Sequence, residues 1–114
     1  KIIFNTETGI DWDDLSSLSK INLFRILQER LQNINKYANA KNIKIQFYKE
    51  ENTILVLKII DDGIGFDLQK MPNGIGLKNM IARAQESQGT FEIQSEKGKG
   101  TQILVKLPFK KRNA

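Results

Sequence analysis

Asp61-Asp62-Gly63-Ile64-Gly65-Phe66 closes a run of β-type residues, Thr53 to Ile60, and sets a carboxylate and two glycines where a buried strand meets a loop. A strand ending in Asp puts one acceptor at the floor of a cavity. Glycines two and four positions further on let backbone come close to a bound group, because no Cβ stands in the way. Together they can receive an exocyclic amine and leave room for a flat ring. Asp-Gly is equally the ordinary chemistry of an acidic β-turn, so this stretch alone leaves both readings open.

Two other groups could act with it. Glu29, Asn33 and Lys36 lie at i, i+4 and i+7 of a helical pattern and so share one face. A carboxylate, an amide and an ammonium in line could hold a magnesium ion and a phosphate chain between them. Magnesium takes few protein oxygens and keeps water and phosphate oxygens, so one Asn oxygen suffices. A solvated helix face would look the same. Gly74-Ile75-Gly76 opens a second helical pattern, where unpaired N–H groups and the helix dipole attract an anion. A flexible hinge before a helix has the same sequence.

The elements that must position these groups follow from periodicity. Lys1 to Asn5 reads as a short strand, and Thr6 to Ser17 as a turn-rich segment anchored by Trp12 and Leu15. A helix capped by Ser17 or Ser19 runs to about Ala38, with an apolar stripe of Phe24, Leu27, Leu31, Ile34 and Ala38. Glu29, Asn33 and Lys36 fall roughly opposite that stripe. Asn42–Tyr48 and Thr53–Ile60 read as a hairpin, the second strand so uniformly apolar that it is expected to lie centrally or be covered on both faces. Gly65 to Asn73 is irregular but apolar, through Phe66, Met71 and Pro72. A second helix spans Leu77 to about Ser87 on Leu77, Met80, Ile81 and Ala84. Two strands, Thr90–Ser95 and Thr101–Leu107, flank the basic turn Glu96-Lys97-Gly98-Lys99-Gly100.

The 114 residues predict one domain spanning 1–114 with one core. A net charge of +5 suits an anionic ligand without demanding nucleic acid, and Lys110-Lys111-Arg112 reads as a solvated tail. Cysteine and histidine are both absent, which excludes disulfides, thiolate or histidine zinc sites, and Ser-His-Asp or Cys-His catalysis. No run of apolar residues approaches a membrane span. The chain opens on Lys1 directly into a strand, so a piece of a longer polypeptide is expected. Gly-x-x-x-x-Gly-Lys-[Ser/Thr] does not occur, which disfavours a P-loop enzyme.

The order of these boxes, from about Leu23 to Pro108, resembles the ATP-binding catalytic domain of two-component sensor histidine kinases, whose GHKL-type superfamily includes DNA gyrase, the large heat-shock chaperone and mismatch-repair ATPases. The resemblance implies an α+β fold: a two-layer α/β sandwich with a mixed, mostly antiparallel sheet of about five strands against two or three helices. Glu29-Arg-Leu-Gln-Asn33-Ile-Asn-Lys36-Tyr37-Ala38 matches the family's N box. By that match Asn33 would ligate magnesium, Lys36 would reach the phosphates, Tyr37 would line the nucleotide site, and Glu29 would polarise a nucleophile or water. Asp61, rather than Asp62, aligns with the acid that accepts the adenine amino group, and Gly63 and Gly65 shape the ring's slot. Gly74, Gly76 and Leu77 match the phosphate-cradling box beside a lid at about Phe66 to Asn73. Thr101 matches the threonine backing the adenine site.

The Glu-x-x-x-Asn spacing and the run Gly74-Ile-Gly-Leu-x-x-Met80-x-x-Arg83 look most like the subgroup paired with helix-turn-helix response regulators. Tyr37 stands where that subgroup often has histidine, and Gln88-Gly89 where it has a Gly-Gly pair. The implied function is Mg-ATP binding and donation of the γ-phosphoryl group to a histidine on a separate dimerisation domain, for relay to a response regulator. A serine kinase of the anti-sigma type, or a partner-binding module on the same fold, would share these boxes. A cytoplasmic location, no nucleic-acid partner, no direct membrane contact and a monomeric state are expected of this piece.

Overall fold

The computed structural model describes residues 1–35, 39–65 and 76–110. Five strands form one sheet: β1 (Ile2–Thr6), β2 (Ile43–Glu50), β3 (Ile54–Asp61), β4 (Thr90–Glu96) and β5 (Gly100–Pro108). Their spatial order is β1-β2-β3-β5-β4. β1 runs parallel to β2 and every other neighbouring pair is antiparallel. Two helices, α1 (Ser17–Asn33) and α2 (Leu77–Glu86), form the second layer, and a short 3-10 turn (Trp12–Asp14) precedes α1. The sandwich and the mixed sheet are those expected from the sequence, with β3 in the centre.

Alternation along the strands divides the sheet into two faces. Leu55, Leu57 and Ile59 of β3 and Ile103, Val105 and Leu107 of β5 point toward the helices and are buried with Ile45, Phe47, Leu23, Ile26, Met80 and Ala84. Each fully buried Leu or Ile contributes about 1.5–3 kcal/mol. The other face mixes Lys44, Lys58, Gln102 and Lys106 with Ile54, Val56, Ile60 and Leu104; Lys44 is exposed, and Val56 at its centre is fully buried. Trp12 lies edge-on to Phe47, with centroids 5.2 Å apart, and covers the core from its margin while Leu15 enters it.

Two expectations about α1 need correction. Its cap is Ser16, whose Oγ accepts the Ser19 N–H at 3.1 Å, one residue before the earliest serine predicted. Three serines within four positions made the choice locally ambiguous. The expected inward stripe holds in part: Ile34 is buried in the core and Leu27 and Leu31 pack against it, but Phe24 does not belong to it. Phe24 is 64% exposed, and the buried face is Ser19, Asn22, Leu23, Ile26, Arg30 and Asn33. Apolar residues ring most of this helix, so their period does not select a face. The polar residues decide it, because Asn22 donates through Nδ2 to Ser87 Oγ (2.8 Å) and Glu86 Oε1 (3.1 Å) at the end of α2, and Arg30 reaches Asp61. The regular helix closes at Asn33; Ala38 lies outside the described residues.

Candidate functional site

One row of side chains separates the apolar core from the end of the sheet. Asp61 of β3 pairs in register with Thr101 of β5, and Thr101 with Ser95 of β4. All three point toward the helix layer, one pleat beyond the Ile59–Ile103–Ile93 row. Thr101 and Ser95 share a hydrogen bond of 2.6 Å between their hydroxyls. The strand-end acid predicted as an acceptor is therefore at the polar rim of the core, with Thr101 beside it.

Asp61 and Asp62 have separate tasks. Asp62 is exposed, and its carboxylate accepts the Lys41 N–H (2.8 Å), the Asn42 N–H (2.9 Å) and Asn42 Nδ2–H (2.8 Å). These bonds, those from Asn42 foremost, hold its carboxyl below the usual aspartate value and tie the chain entering β2 to the end of β3. Asp61 turns inward and its side chain is 0% exposed. Its Oδ1 accepts the Gly63 N–H at 2.9 Å, so the acidic turn that Asp-x-Gly suggests does form. Its Oδ2 accepts from Arg30 Nη2 at 2.6 Å.

Arg30 is the residue that the sequence pattern did not single out. Its side chain is 5% exposed and forms a buried ion pair with Asp61. Burial pulls the guanidinium below its ordinary value, against the opposing field of Asp61. A signal was present: Arg30 stands four residues after Ile26 and four before Ile34, and a cation on an inward stripe requires a buried anion.

Gly65 has φ +62°, and a Cβ there would lie 2.1 Å from the Glu96 carbonyl oxygen. The loop after Asp61 is thus seated backbone-to-backbone on the β4–β5 turn, where the Gly98 N–H also donates to the Ile64 carbonyl. Its glycine is required by protein packing as well as by any ring placed nearby. Gly76 caps α2 with φ +72°, and a Cβ there would run into the Glu29 carboxylate. The Glu29 carboxylate therefore lies beside the N-terminus of α2, where the helix dipole favours negative charge. Leu77 follows, half-buried against the core.

The helix-face expectation is corrected in part. Asn33 is buried and lies on the same inward face as Ile26 and Arg30, not on a face opposite the apolar stripe. Glu29 is half-buried beside it. Glu29, Asn33, Asp61, Gly63, Gly65, Gly76, Leu77 and Thr101 thus gather around one end of the sheet and the facing ends of the two helices. Lys36, Tyr37, Gly74, the segment expected to form a lid at 66–73, and Lys111 and Arg112 of the basic tail lie outside the described residues. A hollow of about 300 Å³ at this end of the sheet is lined by Ile60, Gln94 and Gln102 of the outward face together with Asp61, Gly100 and Thr101, and no residue of either helix lines it. A larger one of about 720 Å³ lies at the far end of β3, by Ile54 and Pro108, and contains none of the predicted site residues.

This is a strand-end acid walled by glycine-bearing turns and overlooked by an amide-bearing helix, an arrangement suited to a flat base and its anionic tail. The model of the histidine kinase-, DNA gyrase B-, and HSP90-like ATPases matches residues 19–111, and the chain belongs to that family. It is 38% identical over 105 residues to the sensor histidine kinase LiaS of Bacillus subtilis, covering 88% of this chain and 29% of that protein. It is 38% identical over 93 residues to the sensor protein VraS of Staphylococcus aureus, covering 81% of this chain and 26% of the relative. The chain therefore spans less than a third of the length of these relatives. Among solved structures it superposes on the blue-light activated histidine kinase of Erythrobacter litoralis with a TM-score of 0.79 at 16% identity, over 96% of this chain and 35% of the other. The histidine kinase AdeS of Acinetobacter baumannii gives 0.71 at 20% identity, over 96% and 55%. These two likenesses concern the fold.

The residues present fit a nucleotide. Asp61 spends one lone pair of each oxygen on Gly63 and Arg30, and a carboxylate has about four such sites, so an amine can still be accepted. With the carboxylate fully covered, any ligand would reach it only after the surrounding side chains shift. No helix among the described residues is long and apolar enough to cross a membrane.

Proposed function

We propose that this chain is the Mg-ATP-binding catalytic domain of a two-component sensor histidine kinase, presenting the γ-phosphoryl group to a histidine on a separate dimerisation domain, from which it passes to a response regulator. The observation that carries the reading is the buried Asp61 carboxylate at the end of β3, in register with Thr101 and facing the inner side of α1. A base amine is the donor such an acceptor selects. Asn33, on the same helix face, would supply an amide oxygen to magnesium, whose charge offsets that of the phosphates. Lys36 would add a cation there, Tyr37 would line the cleft, and Gly74 with Gly76 would offer N–H groups. Glu29 would orient the attacking imidazole. The protein's contribution is positioning and charge neutralisation, as phosphoryl transfer requires.

Calorimetric titration with Mg-ATP tests the reading. Wild type binds and gains thermal stability, since a ligand held only by the folded state must stabilise it. Asp61→Asn stays folded, because its amide oxygen still accepts from Arg30, but loses ATP binding. Asn33→Asp keeps much of the nucleotide contact and loses magnesium-dependent transfer to a supplied histidine domain. Wild-type affinity in Asp61→Asn would overturn the base assignment.

A further inference from the structure

Arg30 carries a second observation beyond its ion pair. Its Nε–H is buried and has no hydrogen-bond partner among the described residues, while Nη2 is engaged by Asp61 at 2.6 Å. Buried donors left unpaired are rare and costly. This one sits on a side chain whose guanidinium is fixed against the very carboxylate assigned to the base. The pair thus presents a donor and an acceptor side by side at the polar rim of the core. Adenine carries the complementary pair on one edge: the exocyclic amine donates and the adjacent ring nitrogen N1 accepts. Guanidinium donors are charged at every accessible pH and hold a fixed fork, so they can read a ring nitrogen directionally.

We propose that Arg30 is a second base-reading residue, donating to adenine N1 while Asp61 accepts from the adenine amine. The inference rests on the nucleotide reading of the site. It also explains why a full charge is tolerated on the inward stripe of α1, since the cation pairs with the acceptor, holds it in place and adds a recognition contact of its own. The unpartnered Nε–H leaves that guanidinium able to take one more acceptor.

The test compares Mg-ATP with Mg-1-deaza-ATP, in which a C–H replaces ring N1, by calorimetry on wild type and on Arg30→Met (Arg30→Gln if the first variant does not fold). Wild type is expected to bind 1-deaza-ATP roughly ten- to hundredfold more weakly than ATP, the range of one hydrogen bond to a charged donor. In the variant ATP weakens by at least that factor, because Asp61 also loses the partner that holds it in place, and the two nucleotides bind alike. A purely structural Arg30 would weaken both and preserve their ratio, which overturns the proposal. So does a wild type indifferent to N1, or a variant that binds ATP more tightly, which would make Arg30 a plug over Asp61. If wild type binds neither nucleotide, it is the nucleotide reading itself that fails.

Discussion

Removing Arg30 strands Asp61, and the size of the effect can be bounded. The two side chains are 5% and 0% exposed and meet at 2.6 Å. Arg30→Met keeps most of the aliphatic stem and its packing, so the change is chiefly in charge. The carboxylate then has one remaining bond, from Gly63. Losing one partner of a buried pair costs about 3–5 kcal/mol. An independent ceiling comes from protonation, because a stranded carboxylate can always take up a proton. Doing so from an ordinary aspartate value costs about 4 kcal/mol at pH 7 and about 1.5 kcal/mol at pH 5. The sign follows: a group forced neutral in the fold destabilises above its unfolded value, and the penalty shrinks as pH falls toward it. A chain of this length has roughly 6–17 kcal/mol to lose, so the variant folds unless wild type is at the bottom of that range. Equilibrium urea unfolding should show Arg30→Met losing about 3–4 kcal/mol at pH 7, a midpoint drop near 2 M, and about 1–2 kcal/mol at pH 5. Arg30→Met with Asp61→Asn should recover most of it, since neither charge remains. A loss that is the same at both pH values would refute the argument, showing that Asp61 is not held in a water-poor environment.

Three further outcomes follow from local geometry. Gln88 has φ +61° in the turn after α2, where the Gly89 N–H caps the Ala84 carbonyl at 2.8 Å; Gln88→Gly should raise stability by roughly 0.5–1 kcal/mol by urea unfolding, the left-handed penalty less the added chain entropy. Gly100 has φ +81° and a Cβ there would meet the Asp61 carbonyl oxygen at 2.1 Å, so Gly100→Ala should destabilise by more than about 2 kcal/mol in the same assay. Asp62, held below 3.8 by Asn42 and Lys41, contributes stability above its unfolded value that disappears as pH falls through its folded one; in an acid titration Asp62→Asn should flatten the stability loss below about pH 4.

What was legible in the sequence was what adjacent residues decide. β-branched alternation, hairpin turns and the Gly-Lys-Gly turn placed β2 to β5 to within a residue or two, because turn chemistry and side-chain direction are local. The Asp-x-Gly-x-Gly stretch likewise fell where a strand end should. The orientation of α1 was not legible. Leu18, Ile21 and Phe24 are as apolar as Leu23 and Ile26, yet they are exposed. Their fate depends on partners far along the chain, Ser87 for Asn22 and Asp61 for Arg30, 65 and 31 residues away. Hydrophobic periodicity contains no information about those pairs.

The same polar partners explain why the site is precise without any histidine or cysteine. Read along its inward face, α1 changes from polar (Ser19, Asn22) to apolar (Leu23, Ile26) and back to polar (Arg30, Asn33). Asn22 fixes the start of the helix to the end of α2, and Arg30 fixes its last turns to the end of β3. Between those pins the helix cannot rotate without breaking a buried bond at one end or the other. Asn33 lies three residues beyond Arg30, about 4.5 Å further along the axis. The proposed metal ligand and the proposed base acceptor are therefore held in one frame, and each pin controls both. A substitution at Asn22, distant from any nucleotide, should then disturb the distance between Asn33 and Asp61 through rotation of α1, whereas one at exposed Phe24, which faces away from both pins, should leave that distance unchanged.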